Sequence, residues 1–467
     1  MMYFLVMIAL LLAGVLIVSA SDRKLSRQVG ILFSSIALAI ALVMLVEYLH
    51  GGTVTYSEAI PYISSFGIYI QFYANQFSIP LSLLAGIVTL AALIGGNPMR
   101  EKEKATTALA LLFEASAIGL FASGNLFLFF IFWDVGVIAA FFMISYLGSG
   151  NNHASSKTYL FYSILASALL LFGILLIYFY MPVRSFSIQA IEAGSALIPP
   201  SIQTAVFALL FVAFMIKMPV FPFHSWMQSA YSDASTQGSM LIGGVLSKFG
   251  AYGLLLLFLM LPIAKVYAPY VIIIAIISAF YAAFNMLKKD DMKRMVAYAS
   301  MVESALILAG ISAIGIFGEE GAIYGMVAYG LGIALLFLSV GSIEFMFGSK
   351  STKVLRGVVR DAASTAYAFL FGIFAATGVP LTGAFIADLL IFIGTERSFG
   401  LVGLIPLFSI VIVGAYLYYA AEISIFDTKK GMDMVRYESG HWNPAYALLV
   451  FAIIAIGLVP YFILGFR

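Results

Sequence analysis

The chain has 467 residues, of which 63% are hydrophobic and only 10% charged, with 24 basic against 22 acidic side chains. A soluble domain carries about 45–50% apolar and about 25% charged residues, so these proportions exclude one. Cysteine is absent and the four histidines (His50, His153, His224 and His441) stand far apart, which argues against thiolate clusters, disulfides, haem and metal centres.

Long apolar runs recur along the whole chain, each near the roughly 20 residues that cross a bilayer as a helix. They do not alternate apolar and polar positions as a transmembrane barrel does, so the fold class is an all-α integral membrane bundle. The first run, Met1 to Ala20, has no basic residue ahead of it, and Arg23, Lys24 and Arg27 follow it. That order fits a retained helix with its amino end outside rather than a cleaved signal. Fourteen spans are expected, in the windows 2–20, 29–49, 76–96, 105–122, 125–147, 158–181, 203–223, 236–263, 267–287, 295–316, 321–347, 362–394, 401–425 and 443–464. Lysine and arginine crowd the loops after odd-numbered spans, with Arg100, Lys102, Lys288, Lys293, Lys350 and Arg360 among them, whereas loops after even spans hold only Arg184, Lys265 and Arg397. The positive-inside rule then puts the basic loops in the cytoplasm and both termini outside a cytoplasmic cell membrane.

Two spans carry helix breakers. Pro219 and Pro222 interrupt the seventh, in "MIKMPVFPFHSW", and "TGVPLTGAF" with Gly378 and Pro380 interrupts the twelfth. Proline removes a backbone donor and glycine loosens the helix. Matching interruptions in two halves of a membrane protein point to inverted repeats with a site at the bilayer midplane. The expected organisation is a single transmembrane domain over 1–467: N-terminal helices at 1–104, a first five-helix repeat at 105–263, a second at 264–426 and a C-terminal helix at 427–467.

Charges inside a bilayer cost roughly 2.5–3.5 kcal/mol each on insertion scales and so need a reason. At about 1.5 Å rise per residue, Asp134 and Glu114 lie about 14 Å into their spans, Glu303 and Tyr329 about 12 Å, Lys248 about 18 Å and Lys217 about 20 Å. Asp388 is also within the core. In a hydrocarbon layer about 30 Å thick these groups gather near the midplane. Acids and lysines placed in this way form a candidate horizontal proton relay of Asp134, Lys217, Lys248, Glu303 and Asp388, with Glu114, His224 and Tyr329 as further candidates. Asp134 and Lys217 are expected to face each other; at 4 Å and an effective dielectric of about 20 such charges attract by roughly 4 kcal/mol. Glu344 and Glu422 fall near cytoplasmic ends and are expected to reach toward Lys350 and Lys429. His224 and Trp226 also suit interface anchors.

Four segments carry a family resemblance: "FFIFWDVGVIAAFFMISYLG" (129–148), "MIKMPVFPFHSWMQSAYSDASTQGSMLIGGVLSKFGAYGLL" (215–255), "DMKRMVAYASM" (291–301) and "GVPLTGAFIADLLIF" (378–392). They resemble the antiporter-like membrane subunits of respiratory complex I, with related chains in Mrp cation/proton antiporters and membrane-bound hydrogenases. The resemblance implies that Asp134 takes the place of the usual glutamate paired with the broken-helix lysine, Lys217. It implies that Lys248 matches the lysine of the following helix and that Asp388 replaces the charged residue of the second broken helix. An acid at 388 looks like the M-type subunit, and the absence of a long C-terminal amphipathic arm favours M or N type. Glu303 and Tyr329 depart from the family by standing where histidines are frequent. The function implied is proton translocation in a complex I-like NADH–quinone oxidoreductase, coupled to electron transfer in a partner arm. A hydrogenase subunit and an Mrp-type Na⁺/H⁺ antiporter subunit are the alternatives. No catalytic residue, cofactor or metal is expected in this chain, since redox cofactors would sit in partner subunits. Other membrane and peripheral subunits and the lipid bilayer are the expected partners, and nucleic acid is not.

The charge asymmetry makes a direct prediction about topology. Ser187→Cys and Ser351→Cys will react with an impermeant thiol reagent from opposite sides of sealed vesicles; labelling from one side would refute the assignment.

Overall fold

A computed structural model describes residues 2–51, 58–63, 68–96, 100–427 and 443–464. His441, Lys429, Lys430 and Arg436 lie outside the described residues. Every expected window contains helix. The chain begins with α1 (Tyr3–Ala20) and α2 (Arg23–Gly51), then a hairpin of β1 (Glu58–Ile63) and β2 (Ile68–Phe72). It continues through α3 (Ser78–Gly95), α4 (Glu103–Ala122), α5 (Leu126–Ser145) and α6 (Asn152–Tyr180) to the short α7 (Ile188–Gly194) and α8 (Pro200–Lys217). Beyond a first break come α9 (Met227–Asp233), α10 (Thr236–Leu241), α11 (Ser247–Met260), α12 (Ile263–Met286), α13 (Met292–Ser312) and α14 (Ile316–Phe347). A second break separates α15 (Ala363–Ala376) from α16 (Gly383–Phe399), followed by α17 (Phe408–Ser424), α18 (Pro444–Leu458) and α19 (Tyr461–Leu464). Among the described residues, 12 helical stretches are long and apolar enough to cross a membrane alone, while Ala363–Ala376 and Pro444–Leu458 are apolar but shorter. The last of the 12 runs from Gly383 to Ser424 and joins α16 to α17 through a 3₁₀ stretch, Gly400–Leu407.

The hairpin departs from a purely helical expectation. It closes the end of the bundle where α4 meets α5: Tyr73 donates its amide to the Ala122 carbonyl at 2.8 Å, and Gly124 donates to Gln71 at 2.7 Å. Asn125 serves both elements. Its side-chain oxygen caps α5 by accepting from Leu128 N at 2.7 Å, and its amide nitrogen donates to the Tyr69 carbonyl. Ser235 caps α10, Asp291 caps α13 and Asn443 caps α18 in the same manner, each accepting a backbone donor that a helix start leaves unpaired.

Helices α10–α11, α13 and α14 form the interior, where every residue of their most apolar stretch is buried. The rim is α1, α2, α6, α12 and α17. These helices turn large apolar side chains outward, among them Leu16, Phe161, Phe172, Tyr270 and Val411. A soluble protein rarely exposes so much apolar surface; lipid is the solvent that suits it.

Both sequence-marked interruptions are real. In the first, residues 218–226 leave helical geometry, and side chains satisfy part of the freed backbone: Trp226 Nε1 donates to the Ile216 carbonyl at 2.9 Å, and Ser278 Oγ accepts from Phe221 N at 3.1 Å. In the second, residues 377–382, Gly378 has φ 65° and Leu381 has φ 80°. The left-handed conformation is cheap for glycine and strained for leucine. A third irregularity was not anticipated: Ile242–Leu246 forms a π turn between α10 and α11, directly before Ser247 and two residues before Lys248.

That π turn crosses α14 backbone to backbone. A Cβ on Gly330 would stand 2.7 Å from the Gly244 carbonyl, and one on Gly244 would stand 2.9 Å from the Gly330 carbonyl. Gly330→Val therefore overpacks the crossing at a cost of about 1–3 kcal/mol. A clear fall in the melting temperature of the detergent-purified protein is expected; an unchanged melt would mean that the two backbones do not meet.

Candidate functional site: a buried row of ionisable groups

Lys217 is the last residue of α8, so its ammonium lies beside the carbonyl end of that helix, where a cation is favoured. It is 1% exposed and donates to Tyr159 Oη at 3.3 Å and Ser163 Oγ at 3.4 Å. The rings of Trp133 and Tyr159 face it, with centroids at 5.3 Å and 5.1 Å. Asp134, on α5, accepts a 2.5 Å hydrogen bond from Ser167, whose oxygen in turn accepts from Trp133 Nε1 at 3.1 Å. The expected direct ion pair is not formed. Asp134 and Lys217 interact electrostatically, but each is held by hydroxyls of α6 in place of the other. Ser163 and Ser167 stand one turn apart, about 5–6 Å on a helix face. Doubling the separation from 4 Å halves the roughly 4 kcal/mol attraction. The α6 stripe of Tyr159, Ser163 and Ser167 is thus part of the site. Its four-residue spacing was visible in the sequence, but only the packing of α6 between α5 and α8 gives it meaning.

Lys248 on α11 and Glu303 on α13 are also almost fully buried and act on each other electrostatically. Among the described residues, neither Lys248 Nζ nor either Glu303 carboxylate oxygen has a hydrogen-bond partner. Glu303 feels Asp388 and Tyr329 in turn, and the Tyr329 hydroxyl donates to Asp388 Oδ1 in a short hydrogen bond. The departure at Tyr329 therefore makes a direct partner for Asp388.

Tyr231, on α9, belongs with the row and was not singled out from the sequence. Its buried hydroxyl acts on Tyr159 on one side and approaches Ser247 on the other, without a partner at hydrogen-bond distance. Its ring rests edge-on against Trp226 and Phe337, with centroids at 5.9 Å and 5.8 Å. In this way it stands between the Lys217 group and the Lys248 group.

Two candidates stand elsewhere. Glu114 is fully buried among α2, α3 and α4, near Ser34 and Gly86, and neither carboxylate oxygen has a partner. His224 lies within the first break with its ring against Tyr281 at 4.7 Å and Phe221 at 6.0 Å, and Nδ1 has no partner. Pro219 and Pro222 lie in the first break, Gly378 and Pro380 in the second. Glu344 does reach Lys350, at 3.7 Å, but its closer partner is Lys293, at 2.7 Å. Among the described residues, no group of three or more His, Cys, Asp or Glu side chains is arranged to hold a metal ion.

The profile of the family described as NADH:quinone oxidoreductase/Mrp antiporter, TM, matches residues 123–413. NADH-quinone oxidoreductase subunit M of Rickettsia prowazekii (strain Madrid E) is 28% identical over 452 residues, covering 95% of this chain and 91% of that protein. A chain of respiratory complex I from Thermus thermophilus with bound NADH superposes with a TM-score of 0.90 at 22% identity, covering 98% and 97% of the two chains. A chain of the Mrp complex from Dietzia sp. DQ12-45-1b gives a TM-score of 0.86 at 20% identity, covering 99% and 95%. The matched span takes in the α5 acid, both broken helices and the interior helices between them, and the chain is a member of the NADH:quinone oxidoreductase/Mrp antiporter transmembrane family.

Proposed function

We propose that this chain is a proton-translocating membrane subunit of a complex I-like NADH–quinone oxidoreductase, of the M type. One observation carries the reading: a row of buried ionisable groups, from Asp134 through Lys217, Lys248 and Glu303 to Tyr329 and Asp388, links the two broken helices. The name of the Rickettsia relative, matched over nearly its whole length, supports the same reading. The chain sits in the cytoplasmic membrane with both termini outside, and residues 105–263 and 264–426 form two five-helix repeats of opposite orientation. It holds no redox group, and electron transfer belongs to partner subunits.

The chemistry follows from electrostatics at short range. Removing or adding a proton at one member changes the field at the next, and low dielectric makes that change large. Asp134 and Asp388 are only partly buried, which suits ends that abut neighbouring subunits. Lys217, Lys248, Glu303 and Tyr329 are sealed between them. A charge arriving at one end then biases the protonation of the next group inward. Serine and tyrosine hydroxyls, which both donate and accept, hold each side chain in place between events.

Lys217→Ala removes the cation that answers Asp134. Proton uptake by sealed vesicles during turnover will fall about tenfold or more, a loss of at least roughly 1.4 kcal/mol in the coupling step. A blot for the assembled complex should stay unchanged. Lys217→Arg keeps the charge but not a releasable proton, so it will not restore pumping. Normal pumping with arginine would show that this side chain does not carry the proton.

At the other end, Asp388→Asn is expected to assemble and to pump fewer protons per electron, and an unchanged ratio would make Asp388 structural. Tyr329→Phe and Asp388→Asn will also be non-additive in thermal stability, with a coupling on the order of 1 kcal/mol. Additive costs would show that the two side chains do not meet.

A further inference from the structure

We propose that the polar cavity at the basic-loop end of α13 and α14 is the mouth of a proton-access route to the Lys248–Glu303 pair, closed by the Lys293–Glu344 ion pair. The proposal rests on the relay reading above and adds to it the path by which protons reach its centre.

The cavity has a volume of about 600 Å³, and its walls include Lys288, Asp290, Arg294, Glu344 and Lys350. Lys293 does not line it but lies behind Glu344, on the interior side. Its side chain is 2% exposed, its ammonium lies 2.7 Å from the Glu344 carboxylate, and the Ala234 carbonyl accepts from it at 3.4 Å. Glu344 is 28% exposed, so the pair has one member in contact with the cavity and the other in the interior. A second cation approaches the other oxygen of the same acid. Lys350 is 3.7 Å from Glu344, 3.4 Å from Asp291, and 2.9 Å from both the carbonyl and hydroxyl oxygens of Ser232. Glu344 therefore bridges two lysines, one on each carboxylate oxygen, and a swing of the carboxylate wholly onto Lys350 would free Lys293.

Inward of this pair several polar side-chain atoms lack partners among the described residues. On a helix, residues seven apart lie nearly in line, so Ser300 continues the face that Lys293 begins, and Glu303 follows within a turn. Ser300 lies about 12 Å along α13 from its first residue. Ser300 Oγ, both Glu303 oxygens, Lys248 Nζ and the Tyr231 hydroxyl are all buried with no hydrogen-bond partner. Tyr231 sits on α9, which packs against α13. Leaving one such atom dry costs about 1–3 kcal/mol, and nearly all buried polar groups in proteins are paired. Several orphaned atoms along one helix face and its neighbour mark a place for internal water, which needs polar partners to stay. Water there connects the cavity to Lys248 and Glu303 once Lys293 leaves Glu344. The remaining orphaned acid, Glu114, sits among α2, α3 and α4, away from this face.

The chain has no cysteine, so Ser300→Cys gives it a single thiol. The complex carrying this change is reconstituted in sealed vesicles of known orientation. A small cationic methanethiosulfonate reagent is presented from either side, and the mass of this chain is read. Modification is expected from the basic-loop side alone. Its rate should rise about tenfold or more when Glu344→Gln is added, because the buried Lys293 then loses the acid that holds it in place. Val302→Cys, at similar depth on the opposite face of α13, should stay unmodified. Should Glu344→Gln alone prevent assembly, Lys293→Gln with Glu344→Gln removes both charges and must give the same acceleration. The proposal is overturned if Ser300→Cys resists the reagent in every background, reacts equally from the far side, or reacts no faster than Val302→Cys. Labelling reads access whether or not the complex pumps, so loss of the relay reading and loss of this route are separable: unchanged pumping in Lys217→Ala would defeat only the former.

Discussion

A charge taken out of water costs several kcal/mol unless protein groups answer it, and most of this bundle can be read as the means of answering Asp134, Lys217, Lys248, Glu303 and Asp388. They are answered in two ways. At the first break, hydroxyls of α6 and the faces of Trp133 and Tyr159 surround Lys217 and Asp134. Toward the second break, Tyr329 serves Asp388, and among the described residues the Lys248–Glu303 pair has no hydrogen bonds. The centre of the row is therefore its least satisfied part, where a change in charge meets the least resistance from existing bonds.

Departures from α-helical geometry recur beside these groups. Lys217 ends α8 at the first break, Lys248 follows a π turn, and Asp388 lies in the second turn of α16, beyond the second break. A regular helix uses its own backbone groups, whereas an interrupted one must satisfy them with side chains or water. Polar side chains such as Ser278 and Trp226 are drawn to those places, and the ionisable groups share the polar surroundings that result. The close backbone crossing of Gly244 and Gly330 keeps the π turn beside α14.

The last turn of α9, with the short connector to α10, ties the α5–α6 region to α13 and the Lys350 loop at the basic-loop end. Asp233 accepts from Ser155 Oγ at 2.6 Å, and its carbonyl accepts from Ser149 N at 2.8 Å, both from the α5–α6 region. One residue to either side, Ser232 and Ala234 accept from Lys350 and Lys293 of the second half. Tyr231, at the head of the same segment, faces the interior row. A displacement of this connector would be felt both at the cavity and at the centre.

Composition, the positions of apolar runs and two interruptions, one marked by prolines and one by glycine and proline, were enough to place the helices and both breaks, because hydrocarbon solvent permits few other backbones. Depth counting along those runs was enough to collect Asp134, Lys217, Lys248, Glu303, Tyr329 and Asp388 as one candidate row, since a helix rises by a constant amount per residue. Depth says nothing about azimuth, and azimuth decides contact. Tertiary packing alone set α6 hydroxyls between Asp134 and Lys217, turned Tyr329 onto Asp388, and left Glu114 and His224 elsewhere. It also gave Glu344 to Lys293 ahead of Lys350, and made a site residue of Tyr231, which no charge, breaker or spacing distinguishes in the linear chain.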